Sequence, residues 1–251
     1  MAHVTFEHVT KMYRTGSRDV VAVDDLSFTV ARGERVAIVG ETGCGKSTTI
    51  SLLLGLTPAT RGRVEIEGTD VYAHFDRFRG HIAAVFQTDR LLHWKTAIAN
   101  VRLPIEILGR RAVEVAVGPA EWLARLGLAG FEEAYPHELS GGMRQRVAIA
   151  RALVMEPDLI LCDEAFGHLD EVTAAALRQE FLTLATESER TLIFITHSIE
   201  EAFMLGQRVL VMRRPGRVGA TFDVPPRVTP AERVELRERV LQTMAEMKQP
   251  P

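Results

Sequence analysis

The sequence predicts an α/β protein: a mostly parallel sheet covered by helices, an antiparallel β layer at its edge and a helical subdomain inserted part-way along the chain. Three observations carry this. Short apolar runs at residues 36–39, 82–86, 159–162, 192–196 and 209–212 alternate with helical stretches, the pattern of a parallel sheet buried on both faces. Residues 4–9 and 26–30 instead alternate apolar and polar side chains, as half-buried antiparallel strands do. Between about 88 and 150 the strand–helix alternation stops and the pattern becomes mainly helical, broken at Pro104 and at Gly118-Pro119.

A chain of 251 residues has ample length to bury a core of this kind. Apolar residues make up 46% and charged residues 25%, ordinary values for a globular protein. With 30 Lys and Arg against 33 Asp and Glu the net charge is −3, so no basic field recruits nucleic acid. Cys44 and Cys162 cannot form a disulfide framework and follow no secretory leader, which points to a reducing cytoplasm. No apolar run reaches the roughly 18–20 residues of a spanning helix, so work at a membrane requires another polypeptide to hold the chain there.

Along the chain, the strand at 36–39 runs into a Gly-rich loop and a helix from Lys46 to about Gly55, and residues 64–66 form a further strand. A helix opens after Ser140 and continues to Val154, with apolar or small residues at 147, 149, 150, 153 and 154. The last helix starts at Thr229-Pro230-Ala231-Glu232, which combines an N-cap threonine, a proline at the first helical position and the glutamate of a capping box. Its stripe of Val234, Val240, Leu241, Met244 and Met247 reads as a face packed back on its own domain, the alternative being a partner-binding face.

Gly40-Glu41-Thr42-Gly43-Cys44-Gly45-Lys46-Ser47 matches the phosphate-loop pattern GxxxxGK[ST] in full. Its glycines let the backbone curl so that N–H groups face phosphate oxygens, and the following helix adds its N-terminal dipole. Lys46 supplies a point charge for the β- and γ-phosphates, and the Ser47 hydroxyl can ligate Mg²⁺. Cys44 has two readings: a thiol activated at a helix N-terminus, or a small side chain that fits the loop.

The strand at 159–162 ends in Asp163-Glu164. Adjacent carboxylates repel, and they are explained if Mg²⁺ neutralises Asp163 while Glu164 acts as general base toward the water that attacks the γ-phosphate. Gln87 and His197 likewise end strands, and ligands of parallel sheets gather at carboxyl ends of strands. Ser198-Ile199-Glu200-Glu201 reads as a capping box that starts a helix just after His197. Ser140 is a natural N-cap, and Gly141-Gly142 leave the helix N-terminus open as a second anion site.

Taken together, Leu139-Ser140-Gly141-Gly142-Met143-Arg144-Gln145-Arg146, the phosphate loop and the acidic strand end resemble the ABC-type ATPases over about residues 1–222. The resemblance implies the P-loop NTPase fold of that family, with residues 88–150 as its helical subdomain and 223–251 as a helical tail. It implies ATP and Mg²⁺ as ligands, with Thr48 beside the loop residues 40–47 in ATP binding and Gln87 sensing Mg²⁺ and the membrane partner. It implies a γ-phosphate contact for His197. Tyr13 falls where the family stacks an aromatic on adenine, and it also reads as an edge-strand aromatic packed on the core. The family forms head-to-tail dimers, so Ser140, Gly141, Gly142 and Asp170 are implied to complete the ATP site of a second copy.

Leu91-Leu92-His93-Trp94-Lys95-Thr96, Asn100 to Pro104, Pro136-His137-Glu138 and Arg214-Pro215-Gly216-Arg217 are similar to the ATPases of bacterial nitrate/sulfonate/taurine-type importers. That likeness implies an ATPase peripheral to the cytoplasmic face of the inner membrane, working with two transmembrane permease subunits and indirectly with an extracytoplasmic substrate-binding protein. The alternative is a soluble, non-transport ABC ATPase such as a cluster-assembly ATPase. His93, Ala165, His168 and Ser198 depart from the family pattern; His168 reads as a solvent-facing loop histidine or as a pH sensor of dimer closure.

Overall fold

A computed structural model describes residues 2–16, 18–109, 115–167, 169–187, 189–226 and 229–247, so His168 lies outside the described residues. The chain divides into two compact units, Met1–Arg77 with Thr191–Pro251, and Phe78–Arg190.

The first unit contains two sheets. In one, β1 (Ala2–Thr15) pairs antiparallel with β2 (Arg18–Ala31) and with β4 (Arg61–Ile66), and the two-residue β5 (Thr69–Asp70) adds an edge. The alternation read in the sequence slips at His8: Val4 and Phe6 are buried, and the next inward side chain is Val9. His8 takes φ 49° where the β1–β2 register shifts between Phe6 and Val9, so one extra residue returns the apolar side to the core. The paired Phe6 and Phe28 rings stack with centroids 4.5 Å apart.

In the other sheet, β3 (Arg35–Gly40) lies parallel to both β8 (Thr191–Ile195) and β9 (Arg208–Arg213), and β10 (Arg217–Asp223) closes an antiparallel hairpin on β9. Val36, Ala37, Ile38 and Val39 are all buried, as the unbroken apolar run requires of a strand covered on both faces. α1 (Lys46–Leu53) stops in a Schellman turn, with Gly55 at φ 65° and the Leu56 N–H donating to Ser51 O. α6 (Ile199–Leu205) begins at the Ser198 cap, but only half of the expected capping box forms. The Glu201 carboxylate turns inward to accept from the buried Thr196 hydroxyl.

The C-terminal α7 (Pro230–Glu246) has the complete capping box between Thr229 and Glu232. Hydrogen bonds from Thr229 hold the Glu232 carboxyl below its ordinary range. α7 packs back on its own unit: Val240 is fully buried, Arg237 pairs with Glu200 of α6 at 3.1 Å, and Arg239 lies over Phe222 of β10. Val234 and Leu241 of the stripe remain exposed.

The second unit pairs β6 (Ile82–Phe86) with β7 (Leu159–Asp163) in parallel and adds α2 (Ala97–Ile107), α3 (Pro119–Arg125), α4 (Gly141–Leu153) and α5 (Glu171–Glu187). Val101, Ile105, Trp122, Leu123, Val147, Ile149 and Leu153 are the buried faces of α2, α3 and α4. Pro104 does not break α2 as expected; it sits one turn from the C-terminal end and removes only the bond to the Asn100 carbonyl. Asn100 anchors that helix instead. Its buried amide donates to Leu92 O, Lys95 O and Thr96 O and accepts from Leu92 N–H at 2.8 Å, tying the preceding loop to α2. Pro119 follows the Gly118 cap and starts α3. β5 and β10 were not legible as strands: the first is two residues long, and the second is a half-exposed edge without an apolar run.

Candidate functional site

In the first unit the phosphate loop leaves β3 and enters α1. Its glycines are required by close neighbours. A Cβ on Gly40 would lie 2.5 Å from Met212 O, and one on Gly45, at φ 106°, would lie 2.5 Å from Ala22 O. Only glycine brings the backbone that close and adopts that φ without strain. The Lys46 ammonium is buried and donates to Gly40 O at 2.7 Å and Glu41 O at 2.9 Å, so the loop curls around its own cation. Glu41, Thr42, Gly43 and Ser47 are exposed, and Thr48 is half-buried.

Cys44 corrects the reading of an activated thiol. It is buried, its sulfur would be 2.8 Å from a Cβ on Gly40, and burial pushes its pKa up against the opposing pull of Lys46. Cys44 therefore packs inward as the small side chain that fits the loop.

β8 lies beside β3 with Ile195 level with Ile38, and Thr196 N–H continues the ladder by donating to Ile38 O. The exposed His197 therefore leaves the sheet at the same end as the phosphate loop. Tyr13 is half-exposed on β1, opposite Val20, with the Lys11 ammonium 4.9 Å from its ring centroid. Its hairpin partner strand reaches the loop through Ala22 O against Gly45.

The second unit holds the other group. Phe86 is level with Asp163, so Gln87, Asp163 and Glu164 share one end of the β6–β7 pair, each half-buried. Glu164 has φ 48°, a conformation a glutamate rarely adopts, and it begins a turn closed by Gly167 N–H donating to Glu164 O. Strain of this sort concentrates at functional sites, and here it bends the chain sharply off the end of β7. The Ser47 hydroxyl of the first unit and the Asp163 carboxylate of the second are each an oxygen donor of the kind Mg²⁺ takes. Among the described residues no group of three or more His, Cys, Asp and Glu side chains forms a dedicated metal cage.

α4 organises this end of the unit. Ser140 caps it by accepting from Met143 N–H, as the sequence predicts. Gly141 is open, whereas a Cβ on Gly142 would lie 2.7 Å from Thr173 Cγ2, so Gly142 also permits close packing of α4 on α5. Asp170 caps α5: Thr173 N–H donates to its carboxylate at 3.0 Å, which lowers its pKa.

Sequence reasoning assigned no role to Gln145. It is buried on α4, and its amide donates to Phe86 O at 3.1 Å and Ala165 O at 2.6 Å, the carbonyls beside Gln87 and Glu164. Arg144 pairs with Asp89 at 3.0 Å, and Arg151 donates to Asp89 O and Arg90 O, so α4 also grips the segment that follows Gln87. No spacing signals these bonds; a buried polar residue inside an otherwise apolar helix face was the one available sign.

A glycine-cradled phosphate loop after a parallel strand, two carboxylates ending another and a serine-capped Gly-Gly helix define an ATP-hydrolysing cassette. The ABC transporter family profile matches residues 23–167, and the chain belongs to that family. It is 43% identical to the taurine import ATP-binding protein TauB of Rhizobium johnstonii over 208 residues, 82% of this chain and 78% of that protein. It is 34% identical to the aliphatic sulfonates import ATP-binding protein SsuB of Bacillus cereus over 244 residues, 95% and 94% of the two chains. The fold matches the dimeric post-hydrolysis state of the ATP-binding cassette MJ0796 bound to ADP and phosphate, with a TM-score of 0.77 and 32% identity, covering 89% of this chain and all of that one.

Proposed function

We propose that the chain is the ATP-hydrolysing subunit of a bacterial ABC importer for a small, anionic, nitrate-, sulfonate- or taurine-like solute. The single observation that carries the ATPase part is the buried Lys46 ammonium inside a loop whose glycines admit no side chain. The likeness to taurine and sulfonate import subunits supports the importer part.

In this reading Lys46 and the loop N–H groups bind the triphosphate, and Tyr13 stacks on adenine. Ser47, Asp163 and Gln87 would hold Mg²⁺, which would offset the charge of the phosphates. Glu164 accepts a proton from water as the water oxygen bonds to the γ-phosphorus. The bond from that phosphorus to the β–γ bridging oxygen breaks, and ADP leaves with its electron pair. His197 steadies the γ-phosphate.

Ser140, Gly141, Gly142 and Asp170 complete the site of a second copy arranged head to tail. ATP then favours the closed dimer, and hydrolysis releases it. Two permease subunits convert that cycle into transport, with a substrate-binding protein acting on their far side and this chain peripheral on the cytoplasmic face of the inner membrane. Tagged chain isolated from detergent-solubilised native membranes is expected to carry two membrane subunits with several spanning segments each, and the reconstituted complex to take up solute only with ATP. Recovery with soluble proteins alone would favour the cluster-assembly type of ATPase.

A further inference from the structure

The three glycines of the phosphate loop all face the β9–β10 hairpin. Gly40 abuts Met212 O, Gly45 abuts the Cα of Gly216, and Gly43, at φ 75°, lies under the Arg214 guanidinium. A Cβ on Gly43 would stand 2.8 Å from Arg214 Nη2 and 3.4 Å from its Cζ. The same Nη2 donates to the Thr42 carbonyl. Three successive loop carbonyls are thus held by cations: those of Gly40 and Glu41 by Lys46, and that of Thr42 by Arg214.

A trans peptide points its C=O and N–H in opposite directions. Fixing Thr42 O against Arg214 therefore turns the Gly43 N–H away from the hairpin, toward the side where a curled loop gathers its donors for an anion. The two cations differ in what a nucleotide asks of them. Lys46 is the point charge that phosphates recruit, so binding draws it from the loop carbonyls. The Arg214 fork lies outside the curl and can keep its grip throughout.

We infer that Arg214 is a positioning residue for the triphosphate: it holds the Thr42–Gly43 peptide in the phosphate-binding orientation, most importantly when Lys46 exchanges carbonyl partners for phosphate. This rests on reading residues 40–47 as the ATP site and adds an element from a hairpin more than 160 residues away in sequence. Arg214 is exposed, and beyond it a cavity of about 170 Å³ separates the hairpin and Glu41 from Met244 and Met247 of α7. Shortening the side chain therefore leaves the core packing untouched.

The test uses the full chain and equilibrium binding of Mg-ATP and Mg-ADP, with thermal melting in parallel. Arg214→Ala is expected to raise both dissociation constants roughly tenfold, the scale of losing one charge-assisted hydrogen bond, with an unchanged melting temperature. Arg214→Lys is expected to recover part of the loss, because an ammonium replaces the bond to Thr42 O but not the planar cover on Gly43. Arg213→Ala, which removes a neighbouring exposed arginine, is expected to bind like the unaltered chain. Binding by Arg214→Ala within twofold of the unaltered chain, or an equal loss in Arg213→Ala, overturns the inference. If the unaltered chain binds neither nucleotide, the reading of the loop itself falls, and the inference with it.

Discussion

Glu164, proposed here as the general base, stands in a backbone conformation that sets a condition for that role. A left-handed glutamate directly after a buried strand is unfavourable in isolation and persists where the surroundings over-determine it. Here Gly167 N–H closes the turn, and Gln145 holds the next carbonyl. Replacing the carboxylate alone should leave that scaffold intact. Glu164→Gln is therefore expected to bind Mg-ATP normally while its hydrolysis rate falls by about 10²–10⁴-fold, the usual contribution of a positioned base, with a closed dimer accumulating in size-exclusion runs with ATP. Turnover near that of the unaltered chain would remove Glu164 from the role of base. The Glu164 carboxylate was legible in the sequence because Asp163-Glu164 follows an apolar run. Gln145 was not, because its two partners lie 59 and 20 residues away.

At the level of elements, helix starts were the most readable features and strand edges the least. Ser140, Thr96 and Thr229 all cap as their residue types dictate, since a cap involves only the next three residues. Ser198 shows where local reasoning stops: it caps α6, but a buried threonine outcompetes its N–H for the Glu201 carboxylate. The Thr229–Glu232 box is solvent-exposed and complete, so Thr229→Ala should cost about 1 kcal/mol of local stability. Hydrogen exchange of the α7 amides is then expected to quicken by about fivefold while the buried β3 amides keep their rates. Equal exchange in both proteins would mean that packing through Val240, and not the cap, sets the stability of α7.

For the whole molecule, the composite dimer site is the reading with the largest consequence. If Ser140 completes the site of a second copy, two defects on different chains can be segregated into one site of a mixed dimer. Lys46→Ala and Ser140→Arg chains, each inactive alone, are expected to regain ATPase activity when mixed, because a mixed dimer keeps one intact site. An inactive mixture, with mixed dimers verified by mass, would sink the head-to-tail arrangement.

The sequence by itself determined the phosphate loop, the acidic strand end, the capped helix of the signature and the alternation of strands and helices. Each depends on contacts within a few residues, where backbone geometry and residue type suffice. Only the tertiary structure decided that Cys44 faces inward, that Gln145 braces the ends of β6 and β7, and that Arg214 covers the loop at Gly43. Those pairings follow from which strands and helices come to lie side by side, and contacts between segments far apart in sequence are made only when the chain packs.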